Sequence, residues 1–139
     1  ECPEEYLQVP VIKFVLQPII ENYFIHGMRM REKDNRIKIS VKKEELYKII
    51  VEDNGKGMSE DELANQNRKL KSGIMEKQSS IGIANVNSRL RAVYGDECGI
   101  SMEAGEDRGL RVVLTFKPKE GREEGREGVK DEKSNASGR

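Results

Sequence analysis

Residues 1–117 are predicted to fold as an α+β domain, a two-layer sandwich with helices over one face of a mixed, mostly antiparallel sheet. Three observations carry this expectation. Two pairs of short apolar segments, around residues 37–52 and 100–116, have the period-two alternation or the continuous apolar run of strands. Two other segments, 11–28 and 82–94, carry apolar residues at helical spacing. The resulting order, α-β-β-(loop)-α-β-β, segregates helices from hairpins, which places them together on one face.

The first element is expected over 11–28, where Val11, Ile12, Phe14, Val15, Leu16, Ile19, Ile20, Tyr23 and Phe24 cover most of a helix circumference. That pattern predicts a mostly buried helix after Pro10, with Pro18 either kinking it or marking a second start. Residues 1–9 before it read as a clipped strand or linker. Ile37, Ile39 and Val41 alternate with polar residues, Lys43-Glu44-Glu45 turns the chain, and 46–52 returns as a second strand, giving a hairpin. Ser59-Glu60-Asp61-Glu62 has the form of a capping box and predicts a helix start. The polar, lysine-bearing stretch 65–80 reads as a long functional or mobile loop. Ile83, Val86, Leu90 and Val93 then define a helix that Gly95 closes. A last hairpin follows, with Ile100, Met102 and Ala104 on one strand, a turn at Glu106-Asp107-Arg108-Gly109, and Val112, Leu114 and Phe116 on the other.

Composition bounds the rest. Within residues 118–139 only Val129 and Ala136 are aliphatic, against six basic residues, six acidic residues and four glycines. Such a segment buries too little apolar surface to offset its ordering entropy, so it is expected to be a disordered charged tail. Lys and Arg total 25, as do Asp and Glu, and the two signs are mixed along the chain. That balance argues against a nucleic-acid-binding or membrane-surface protein, which would show a sustained basic bias. Cys2 and Cys98 are too few for a disulfide framework or a zinc site, and a reducing, cytoplasmic setting is expected. No apolar run approaches the ~20 residues needed to span a bilayer. The chain begins at Glu1 rather than at a methionine, so a longer parent is expected.

Common catalytic templates are missing. There is no G-x-x-x-x-G-K-[ST] loop and no H-R-D, and an EF-hand begun at Asp53 would need a Glu where Ala64 stands. A single histidine, His26, makes a metal cluster or a serine triad improbable. Three pieces remain. Gln17-Pro18-Ile19-Ile20-Glu21-Asn22-Tyr23-Phe24-Ile25-His26-Gly27 puts a carboxylate and an amide in an apolar segment, where they either face solvent at a bend or serve a site. Asp53-Asn54-Gly55-Lys56-Gly57 ends a strand and is, by itself, equally a hairpin signal. Ser80-Ile81-Gly82-Ile83-Ala84-Asn85-Val86-Asn87-Ser88-Arg89-Leu90 opens a helix, whose free N–H groups suit phosphate, although such a turn is more often a simple loop.

Taken together, in this order and spacing, these pieces resemble the ATP-binding domain of the gyrase, heat-shock chaperone, histidine kinase and MutL superfamily. The Gln-Pro-Ile-Ile-Glu-Asn-x-x-x-His-Gly segment is similar to the N box of LytS/YesM-type bacterial sensor histidine kinases, as is the run from Ile81 to Gly95. The resemblance covers nearly all of residues 10–116. It implies a Bergerat-type fold that binds ATP or ADP with Mg²⁺. Asp53 would accept a hydrogen bond from the exocyclic amine of adenine, and Gly55 and Gly57 would let the backbone pass close to the nucleotide. Asn22 would place its amide oxygen on Mg²⁺, and Glu21 is the implied base or water-orienting residue for phosphoryl transfer. His26 would contact nucleotide or pack the helix end rather than accept phosphate. Gly82 and Ile83 would form the lid hinge and help bind phosphates, while Asn85 would contact ligand or cap.

The resemblance also implies partners outside this chain. These are upstream dimerisation helices carrying the phospho-accepting histidine and, indirectly, a response regulator. The parent is then a homodimer anchored in the bacterial membrane, with this piece a monomer on its cytoplasmic side. The sequence departs from the pattern at Tyr23, Ile25, Ser80 and Leu110. For the missing basic residue at Ile25, Lys69, Lys71 or Lys77 could substitute. These departures open a second reading, a degenerate nucleotide sensor or interaction domain of the same fold. A gyrase- or chaperone-type ATPase is disfavoured by the Gln-Pro-x-x-Glu-Asn-x-x-x-His-Gly pattern and the short lid, and a plain α+β domain would need three independent coincidences of motif and order.

Overall fold

A computed structural model describes residues 1–73 and 81–118, except the side chain of Ile81. Strands β1 (Ile37–Lys43) and β2 (Tyr47–Asp53) form the expected hairpin, with Ile37 opposite Asp53. Strands β3 (Gly99–Ala104) and β4 (Leu110–Phe116) form the second. β4 inserts beside β2, giving the order β1-β2-β4-β3, and every described pairing is antiparallel. One face of this sheet is apolar. Ile49, Val51, Ile100, Met102, Val112, Leu114 and Phe116 meet Ile83, Val86 and Leu90 of helix α3 (Ile81–Tyr94) in one core, in which Leu90 and Leu114 are fully buried. Gly95, at φ +108°, closes α3 as expected.

The first helix corrects the sequence reading. Instead of a buried helix over 11–28, α1 spans only Gln17–Asn22. Pro18 stands in its first turn, a start rather than a kink. The physical reason lies four residues upstream. A helix running through Pro18 would lose one N–H bond and press the ring on the carbonyl of Phe14; the chain instead takes φ 62° at Phe14 and leaves its ring 70% exposed. Val15, Ile19 and Tyr23 are buried, but Val11, Phe24 and Ile25 are not. After Asn22 the helix widens into a π-turn, Tyr23–Gly27, marked by the bond from Met28 N to Tyr23 O at 2.8 Å.

The second correction concerns the expected loop over 65–80. Helix α2 runs Glu60–Ser72, so residues 65–72 are helical and Lys69 and Lys71 stand in its last turn. Ser59 and Glu62 do form the capping box, acidic residues occupy the first turn, and Gly73 ends the helix in the left-handed conformation. What the polar pattern hides is a side-chain anchor. The Asn67 amide donates to Met102 O at 2.8 Å and accepts from Met102 N at 2.9 Å, docking α2 on the edge strand β3. Asn87 of α3 does the same further along, accepting from Ile100 N and donating to Leu70 O. Lys77, Ser80 and the expected tail beyond Pro118 lie outside the described residues.

Candidate functional site

Strand alternation sends consecutive residues at the end of β2 to opposite faces, so Asp53 shares the inner face with Ile49 and Val51. Its Oδ1 accepts from Gly55 N at 2.8 Å and from Leu110 N at 3.3 Å. Among the described residues Oδ2 has no hydrogen-bond partner. Burial pushes the carboxyl above its ordinary value, and the two amide bonds oppose that shift without cancelling it.

Glycines let this turn close. A Cβ on Gly55 would lie 2.4 Å from Gly27 O, and one on Gly57, which sits at φ +68°, would lie 2.2 Å from Arg108 O. Lys56 N donates to Gly27 O at 2.9 Å, so the Asp53 turn is tied to the end of the N-box segment. The two motifs, remote in sequence, therefore meet at Gly27. Sequence reasoning missed the tightest approach. A Cβ at Gly109 would fall 1.7 Å from Asp53 O, so the β3–β4 turn reaches β2 only through a glycine. The signal present in the chain was Gly109 itself, at the end of a turn opposite a carboxylate strand end.

The remaining candidates group at α1 and the start of α3. An open groove of about 520 Å³ is lined by Gln17, Pro18, Glu21, Gly82 and Asn85, together with Phe14, Val86, Ser88 and Arg89. Gly82 lies in the first turn of α3, where N–H groups have no intrahelical acceptor. A Cβ there would meet Pro18 Cβ at 2.9 Å, so the glycine also sets how closely α3 approaches α1. Glu21 is exposed and accepts from Gln17 Nε2 at 2.8 Å. Asn22, on the next position, is half-buried. His26 is exposed on the π-turn, and the side chain of Ile83 is 3% exposed in the core, which leaves Ile83 only its backbone amide for a ligand.

Among the described residues no three His, Cys, Asp or Glu side chains gather to hold a metal. A Mg²⁺ ion needs no such cluster, since it takes one or two protein oxygens and completes its shell with phosphate and water. None of the described helices is long and apolar enough to cross a membrane.

Comparison with known proteins bears on this arrangement. The family model for histidine kinase-, DNA gyrase B-, and HSP90-like ATPases matches residues 10–120. Over 105 residues the chain is 33% identical to the sensor histidine kinase/phosphatase LytS of Staphylococcus aureus strain Mu50, and equally to that of strain N315. Each match covers 73% of this chain but 17% of the relative's length. Among solved structures, the Erythrobacter litoralis EL346 blue-light activated histidine kinase matches 76% of this chain and 31% of its own at TM-score 0.47 and 14% identity. The mycobacterial sensor histidine kinase MprB matches 79% and 76% at TM-score 0.46 and 12% identity. With the family model spanning every motif from the N box to β4, this chain belongs to the histidine kinase-, DNA gyrase B- and HSP90-like ATPase family.

Proposed function

We propose that this chain is the ATP-binding catalytic domain of a two-component sensor histidine kinase, presenting the γ-phosphoryl group of ATP to a histidine on dimerisation helices elsewhere in the parent protein. The observation that carries the reading is the junction at Gly27, which brings the end of the Glu21–Asn22 segment against the Asp53 turn. Asp53 Oδ2 accepts from the exocyclic amine of adenine. A carboxylate offers only acceptors, so the carbonyl of guanine is rejected there. Gly55 and Gly57 keep side-chain atoms out of the plane that the base occupies. The amides of Gly82 and Ile83, at the start of α3, face phosphate, and Asn85 lines the same groove. His26, exposed on the π-turn, contacts the nucleotide edge and is not the acceptor.

Asn22 would hold Mg²⁺ through its amide oxygen, and the ion, when bound, supplies neutralisation of phosphate charge. Glu21 orients the incoming imidazole and takes its proton at a carboxylate oxygen. The parent is proposed to be a homodimer anchored in the bacterial cell membrane and to pass the phosphoryl group on to a response regulator. The isolated domain turns over little, because most of this catalysis is positioning an acceptor it lacks.

Titration calorimetry with ADP, with and without Mg²⁺, tests the reading. The wild-type chain is expected to bind ADP more tightly with Mg²⁺. Asn22→Ala should keep the metal-free affinity and lose that gain. Retained Mg²⁺ dependence in the variant would remove the metal role, and a folded wild-type chain that binds no adenine nucleotide would overturn the function.

A further inference from the structure

Behind the residues proposed to face the nucleotide lies a layer of side-chain hydrogen bonds that ties Tyr23 and Asn54, one from each motif, to the connection between them. Residues 28–36 join the π-turn to β1, and two asparagine amides hold this connection. Asn35 Oδ1 accepts from Arg29 N at 3.1 Å and from Tyr23 OH at 3.3 Å, while its Nδ2 donates to Arg29 O and Glu32 O. Asn54, 5% exposed, donates from Nδ2 to Asp34 O at 2.7 Å and accepts at Oδ1 from Arg36 N at 2.8 Å. Its amide thus grips the residues on either side of Asn35. Arg29 Nη2 closes the circuit by donating to Asn54 O at 2.9 Å.

Both ends of this circuit lie against the Asp53 turn. One end is covalent, since Asn54 follows Asp53. The other runs through Tyr23, whose ring is 5% exposed and closes on Gly27: a Cβ there would meet Tyr23 Cδ2 at 2.9 Å. Gly27 O in turn accepts from Lys56 N. Burial first, and then the nearby charge of Asp53, push the Tyr23 hydroxyl above its ordinary pKa.

We propose that Asn35 is a positioning residue for adenine selection, acting through Tyr23 and Arg29 to hold the Asp53–Gly57 turn in the geometry that reads the exocyclic amine. It touches no nucleotide itself. The proposal rests on the adenine-reading role of Asp53 given above. A residue that merely stabilised the connection would change melting temperature alone. A positioning residue changes the ratio of ADP to GDP affinity in protein that remains folded, because a displaced carboxylate loses the adenine-specific bond while contacts common to both nucleotides persist.

The test compares wild type, Asn35→Ala and Tyr23→Phe by calorimetric titration with ADP and GDP, alongside thermal melts. Asn35→Ala is expected to weaken ADP by about tenfold, the loss of one hydrogen bond to a charged group, with GDP affinity unchanged. Tyr23→Phe should narrow the ratio in the same sense and by less. Lowered melting temperature with an unchanged ADP-to-GDP ratio would overturn the inference. If Asn35→Ala does not fold, Tyr23→Phe decides, and an unchanged ratio in that variant overturns it equally. A wild-type chain without preference for ADP would strike the reading beneath the inference, whereas a preference that both variants retain would strike the inference alone.

Discussion

Glu52 and Asp53 are neighbours in the chain and face opposite sides of one sheet, and the fold treats them in opposite ways. Glu52 looks outward, where its carboxylate accepts from Glu106 N at 2.8 Å and from Arg111 at 2.9 Å. The Glu106 amide first, then Arg111, hold its carboxyl below the ordinary value. Asp53 looks inward, has amide partners but, among the described residues, no cation, and is pushed upward by burial. Glu52 is given a counter-charge, whereas Asp53, the proposed ligand-reading carboxylate, is desolvated and among the described residues has no partner at Oδ2. The difference teaches where to look for function at a strand end, namely on the side where charge is costly.

The strongest way to break this contrast is steric. Gly109→Ala would drive a methyl group into Asp53 O and is expected to cost about 3 kcal/mol in denaturant unfolding. Gly73→Ala, with left-handed φ but open space around it, should cost about 1 kcal/mol and spare the site. Next in size, Asp53→Asn should weaken ADP roughly ten- to hundredfold by calorimetry, matching about 1.5–3 kcal/mol for a bond to a charged acceptor. Glu52→Gln should do the reverse, lowering unfolding free energy by about 1 kcal/mol for a partly exposed pair while ADP affinity stays at the wild-type value.

The finest distinction is in pH. Asp53 binds its proton more tightly folded than unfolded, so its charge opposes folding at neutral pH, and that cost is relieved as pH falls through its raised pKa. Asp53→Asn should therefore match or exceed wild-type melting temperature at pH 7, an advantage that shrinks in acid. Glu52 behaves oppositely: its contribution is present above the ordinary carboxylate range and is lost as pH falls through its depressed pKa. Melting curves of both variants between neutral and acid pH check the two signs together.

How much of this was legible in the sequence divides along the same line. Both hairpins, the capping box at Ser59 and the helix closed by Gly95 follow from local periodicity and cap chemistry, and they stand where expected. Apolar content over 11–28 overstates helical reach, because Pro18 acts on Phe14 before burial can decide. Residues 65–72 are helical rather than the start of a loop because Asn67, which looks like a loop residue, is a bracket on β3. At the candidate site, the motif residues Asp53, Gly55, Gly57 and Gly82 are visible in the sequence because the backbone orders them. Long-range partners are not. Nothing in the spacing of Gly109, Tyr23 or Asn35 tells that they converge on one turn, since that convergence is set by the order β1-β2-β4-β3 and by the loop between α1 and β1.

Asp53 as the reader of adenine is tested most directly by titrating ADP and GDP into wild-type protein and into Asp53→Asn, with thermal melts to show both are folded. The expected result is a wild type that binds ADP more tightly than GDP, with ADP weakened roughly ten- to hundredfold in the variant and melting temperature at least retained at pH 7. ADP bound equally by the two proteins, or ADP and GDP bound equally by the wild type, would contradict it.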